Sequence, residues 1–197
     1  MKRIRIASPL LILHKLAICD FRVSLELESK ASPLFLLTDW VNESALRQSP
    51  LTVEDPETKK QTLLIPDAGF TLISQATGRK ADFLLEMDLA TVSLKSIRGR
   101  VRGYFLRKQN PCPVLFVVPD TKRQSAISQI ALEEAKQLKA NPTTIWITTQ
   151  ERITPDAAFS APWVVVGRKT PVTFEGLVEP VAKEKALVFA GKGGYLG

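Results

Sequence analysis

Cysteine is nearly missing from this chain: Cys19 and Cys112 are the only two in 197 residues, and no short spacing links them. That excludes a disulfide-dense scaffold and a cysteine-based zinc site, and it fits reduced thiols. Histidine is scarcer still. His14 stands alone, so multi-histidine metal sites are excluded, and its apolar neighbours predict a structural hydrogen bond rather than catalysis. Long apolar runs are also absent. Lys2, Arg3 and Arg5 precede the apolar run from Ser8 to Leu13 as in a signal peptide, but His14 and Lys15 cut it short and no small-residue cleavage site follows. The expectation is neither secretion nor a membrane span, and a cytoplasmic location. The stretch Phe189–Gly194 hints at a phosphate loop but lacks the Lys-Ser or Lys-Thr that such a loop requires. Trp40, Trp146 and Trp163 lie within apolar segments, where core packing is expected over base stacking.

What is present is an ordinary globular composition, 45% apolar and 24% charged. Length predicts one domain, over residues 1–169, with an irregular, glycine-containing extension over 170–197. Twenty-seven Lys and Arg against 20 Asp and Glu give a net charge of +7, a balance that favours a polyanionic partner.

Periodicity predicts a helix over 21–29 opened by Asp20, with Phe21, Leu25 and Glu28 on one face and Val23 and Leu27 on another. A buried strand follows over 34–40, then a polar, proline-bearing surface loop over 42–61. Strands over 63–73 and 82–88 form a predicted hairpin around Gly78. Leu94, Ile97, Val101, Tyr104 and Phe105 mark an amphipathic helix over 93–108. The run 114–118 predicts a central strand buried on both faces, followed by a helix over 121–138, a strand over 144–148 and an edge strand over 163–166. The order is αβββαβαβ.

Two features carry chemistry. Asp67 opens one strand of the hairpin, while Glu86 and Asp88 close the next on a shared face, so three carboxylates converge at one end of a sheet. Clustered carboxylates repel, and Mg2+ relieves that repulsion in phosphodiester chemistry. The second feature is the helix that follows. Between Leu89 and Pro119 stand six basic residues, Lys95, Arg98, Arg100, Arg102, Arg107 and Lys108, and no acidic one. Such clusters bind phosphate backbones, and Gly99 and Gly103 would let DNA approach closely.

These residues resemble the replication-relaxation family of plasmid and mobile-element proteins. The resemblance runs through His14-Lys15-Leu16, Asp20-Phe21-Arg22, Pro66-Asp67-Ala68, Leu85-Glu86-Met87-Asp88 with Thr91, Tyr104, and Val114–Pro119 with Arg123. It implies an α/β fold with a restriction-endonuclease-like three-layer core, in αβββαβ order around a central mixed sheet, similar to the PD-(D/E)xK nucleases. It further implies that Asp67, Glu86 and the Met87 carbonyl hold Mg2+ or Mn2+ and that Asp88 assists as a ligand or as a water-orienting base. Arg100 or Lys95 would then stabilise the transition state, with His14, Glu26 and Tyr104 as accessory groups. DNA is the implied partner, with a homodimer or a replication or mobilisation protein as further partners. Three positions depart from the pattern: Asp88 stands where such nucleases place lysine, Arg100 where family members often carry lysine, and Ala90 where glycine is usual. Arginine neutralises phosphate but cannot serve as a base. The family also commonly carries a winged helix-turn-helix first, and about 13 residues precede His14 here. Two functions stay open, a metal-dependent nuclease or nickase and a catalytically silent DNA-binding or protein-interaction module.

Overall fold

The computed structural model describes residues 8–107 and 112–177. Lys108 and the glycine-rich stretch 189–194 lie outside the described residues. Helix α1 runs from Pro9 to Ala31, 12 residues ahead of the predicted start at Phe21. Its cap is Ser8, whose side chain accepts from Leu11 N, with Pro9 in the first turn. A capping serine followed by proline is a helix start, because proline has no N–H to leave unpaired there. Asp20 therefore sits mid-helix and exposed rather than at a cap.

Strand β1 (Phe35–Asn42) follows. The expected loop over 42–61 is more ordered than predicted. Asn42 caps a one-turn helix, α2 (Glu43–Leu46), and strands β2 (Leu51–Glu54) and β3 (Gln61–Leu64) form an antiparallel hairpin. Its tight end is held by Asp55, whose Oδ1 accepts from the backbone N–H groups of Glu57 and Thr58. The predicted strand over 63–73 is in fact two, interrupted at Ile65-Pro66-Asp67. Pro66 cannot donate to a ladder, and there the chain leaves the hairpin to enter the main sheet as β4 (Ala68–Ser74).

The main sheet has six strands in the order β1-β4-β5-β6-β7-β8. β5 is Lys80–Met87, β6 Val114–Val118, β7 Ile145–Thr149 and β8 Val164–Val165. β4 runs antiparallel to both β1 and β5, β5, β6 and β7 are parallel, and β8 is antiparallel at the far edge. β1, at the opposite edge, is bulged between Thr38 and Val41, with Asp39 at φ 53°. All five residues of β6 are buried, as a central strand requires.

Helices cover both faces. Phe21 and Leu25 of α1 join Phe70, Phe83, Leu115 and Trp146 in one core. On the other face α3 (Leu94–Leu106) and α4 (Thr121–Leu138) pack through Ile97, Val101, Tyr104, Ile127 and Ala131 onto Val114, Phe116 and Ile147, with Val53 and Leu64 of the hairpin closing that layer. The irregular stretch after 169 returns to the first core: Val172 pairs with Trp163, and Phe174 is fully buried against Phe83 and Trp163. None of the helices among the described residues is long and apolar enough to cross a membrane.

Candidate functional site

Parallel pairing of β5, β6 and β7 brings their carboxyl ends to one edge of the sheet, and α3 and α4 both begin just beyond it. Such edges are where open α/β sheets gather ligand-binding groups. Asp67, Glu86 and Asp88 all sit at this edge and all are buried.

Each carboxylate already has partners from the chain. Asp67 Oδ2 accepts from Met87 N at 2.8 Å and lies 3.3 Å from His14 Nε2. His14 Nε2 is also 2.9 Å from Met87 O; a carbonyl can only accept, so the His14 proton is on Nε2. The hydrogen bond with Asp67 is the chief reason that the His14 pKa is raised above its ordinary value. Glu86 is 3% exposed. Its Oε2 accepts from Arg100 at 2.6 Å, and its Oε1 accepts from the Tyr104 hydroxyl. Burial, followed by the charge of Asp67, still pushes Glu86 up to about 7, against the pull of Arg100 and Tyr104. Burial beside Glu86 likewise holds the Tyr104 hydroxyl well above its usual range.

Asp88 faces α4 instead. Arg123 Nε donates to its Oδ2 at 2.6 Å and Arg123 Nη2 donates to Val92 O at 2.8 Å, tying the approach of α3 to the start of α4. Asp88 Oδ1 accepts from Ala90 N, and Ala90 adopts φ 57°. Glycine adopts that left-handed backbone at no steric cost, and alanine does not.

The basic helix is occupied in the same way. Arg98 pairs with Glu133 and Glu134 of α4. Arg102, only 18% exposed, pairs with Asp55 and Glu57 of the hairpin and with Glu134. The guanidinium of Arg102 holds the Asp55 carboxyl well below the usual carboxylate range. Arg107 folds back over the Tyr104 ring and donates to Cys112 O. Gly103 faces the hairpin rather than an open groove, since a Cβ there would lie 2.7 Å from Leu64 Cδ2. Lys95 is exposed at the start of α3. Glu26 is not brought to the cluster: it pairs with Arg22, and 12 residues of helix place it roughly 18 Å along α1 from His14.

As placed, these groups do not fit Mg2+ or Mn2+. A hard cation needs several converging oxygens free of competing cations. Here both Glu86 oxygens are taken by donors, and Arg100 and His14 stand where positive charge is needed. Among the described residues no three His, Cys, Asp or Glu side chains converge as a ligand set. Arg123, which binds Asp88, and its exposed neighbour Lys122 both lay outside the site predicted from sequence. Arg123 was visible as a pattern residue, but its pairing with Asp88 spans 35 positions. Lys122, exposed at the start of α4, carried no local signal.

The replication-relaxation family model matches residues 1–111, which hold α1, the hairpin, β4, β5, α3 and all three carboxylates. The chain belongs to the replication-relaxation family. Membership points to a role in plasmid or mobile-element replication or relaxation. No curated protein and no solved structure matches it.

Proposed function

We propose that this member of the replication-relaxation family binds DNA without cleaving it, and that its nuclease-like carboxylates serve as an ion-paired hub joining α1, β5, α3 and α4. The series α1-β1-β4-β5-α3-β6 around a mixed sheet supports a restriction-endonuclease-like ancestry for the core. The observation that carries the reading is the pairing of both Glu86 oxygens with Arg100 and Tyr104. A carboxylate so engaged is a poor ligand for a catalytic metal, and Arg100 cannot supply the base that lysine would.

DNA contact is assigned to the exposed lysines at the carboxyl edge of the parallel strands. Lys95 and Lys122 occupy the first turns of α3 and α4, where positive charge opposes the helix dipole and costs local stability. That cost is offset when a phosphate sits between them. The Arg123 bridge to Val92 holds the two helix starts together.

Fluorescence anisotropy with duplex and single-stranded DNA across a salt series tests the binding. Affinity should fall as salt rises, and Lys95→Glu with Lys122→Glu should weaken it about tenfold or more. Supercoiled plasmid incubated with Mg2+ or Mn2+ should stay intact. Nicking that disappears in Asp67→Ala overturns the hub reading, whereas binding that is absent or indifferent to salt overturns the DNA assignment.

A further inference from the structure

Helix α1 shows two apolar faces. Phe21, Leu25 and Glu28 are buried against the sheet. On the opposite side, Ile12, Leu16, Cys19, Val23 and Leu27 form a continuous exposed stripe, the four aliphatic residues at 48%, 53%, 48% and 46% exposure. At 100° per residue these five stay within about 80° of arc. Leu10, Leu11 and Leu13 add apolar surface around the first turns. Leucine-rich helix that serves only as a lid over a sheet needs one such face, since a solvated outer face is normally polar.

We infer that this stripe is the seam of a parallel, two-fold homodimer in which α1 pairs with α1 of a second copy. The spacing is that of a short coiled coil: Ile12, Leu16, Cys19 and Val23 alternate in steps of four and three, as d, a, d and a positions, until Glu26, paired with Arg22, takes the next d and ends the seam, with Leu27 beside it at e. Phe21 and Glu28 then fall at f and Leu25 at c, on the outside of the seam, so each copy's sheet points away from its partner. Charge fits this orientation. Lys15 occupies a g position and Asp20 the following e position, the pair that faces across a parallel two-stranded coil. Lys15 is well exposed, and its present partner, Glu43, is no closer than 3.8 Å. An antiparallel pairing centred on Cys19 would instead set Asp20 beside Asp20 of the other copy, two like charges at the axis.

The seam is short. The stripe from Ile12 to Leu27 is roughly 24 Å long and about 10 Å wide, so two facing stripes bury on the order of 500 Å². Standard stable interfaces bury about 1,200 to 2,000 Å², which places this dimer among weak, concentration-dependent assemblies. The inference is independent of the DNA reading, because the stripe lies on the helix layer opposite to α3 and α4.

Parallel pairing sets Cys19 against Cys19 of the second copy, which supplies the test. Sedimentation equilibrium of the full 197-residue chain, 21.8 kDa as a monomer, should show monomer and dimer exchanging between about 5 and 200 µM. Mild oxidation with diamide at the upper concentration should trap a disulfide dimer in the wild type and in Cys112→Ala, but not in Cys19→Ala. Leu16→Glu with Val23→Glu should raise the Kd at least about tenfold, with the circular dichroism spectrum unchanged. A chain that stays monomeric at 200 µM, or that forms no Cys19 crosslink, overturns the inference and assigns the stripe to a different occupant.

Discussion

The two helices nearest the family's motif residues divide their surfaces in opposite ways. α3 is the charged helix, and nearly all its charge is spent inside the molecule: Arg98, Arg100, Arg102 and Arg107 each end on a carboxylate or carbonyl of the same chain. α1 is the apolar helix, and seven of its ten large apolar side chains face solvent. Residue type alone therefore misassigns both. Basic residues become interior glue when acidic partners reach them from elsewhere in the sequence, and leucines become surface when the core has room for only one face.

The sharpest way to break this contrast is Arg102→Ala. It leaves Asp55 and Glu57 without their cation and the buried Glu134 with Arg98 alone, and it frees the hairpin, so a loss of about 2–3 kcal/mol is expected from urea unfolding. A loss below 0.5 kcal/mol would return α3 to the surface role first expected of it. Next in size is the pH dependence of the hub. Glu86 has a folded pKa near 7, raised above its ordinary value, and His14 is raised too. Both groups bind protons more tightly in the folded state, so their contribution is fully present at low pH and lost as pH rises through their folded values. Between about pH 5 and 8 the wild type should lose stability relative to Glu86→Gln, by roughly 1–3 kcal/mol in thermal melts followed across that window. Parallel pH curves for the two proteins would show that Glu86 is not the titrating group. The smallest effect is expected on α1, where Val23→Ser in dilute monomer should change stability by less than about 0.5 kcal/mol. A larger loss would mean that the stripe is already covered within a single chain.

Much of the sheet was legible because its signals are local. Strand-type residues between turn signals marked β5, a continuous apolar run marked β6, and helical periodicity marked α3 and the separation of Phe21, Leu25 and Glu28 from Val23 and Leu27 on α1. Asp67, Glu86 and Asp88 were placed at one sheet edge from strand order alone, and they are there. What local pattern did not hold was pairing. Glu54–Lys60 reads as solvated loop because it is dense in charge, yet Asp55 and Glu57 are the partners of Arg102, 47 and 45 positions away. The acid-free character of α3 looked like an invitation to phosphate for the same reason: its acids are on α4 and on the hairpin. The start of α1 was missed because its apolar first turns have no buried face to set a period, and only Ser8-Pro9 announces it.

The bulge in β1 closes one more route. Asp39 turns the outer strand out of register at one border of the sheet, and β8, at the other border, offers only two residues. Neither border is a good template for strand addition, which needs a long, flat row of unpaired backbone groups. Among the described residues the main sheet therefore offers its helical faces, rather than its borders, to copies or partners, and its folded form gives cross-β aggregates little to nucleate on.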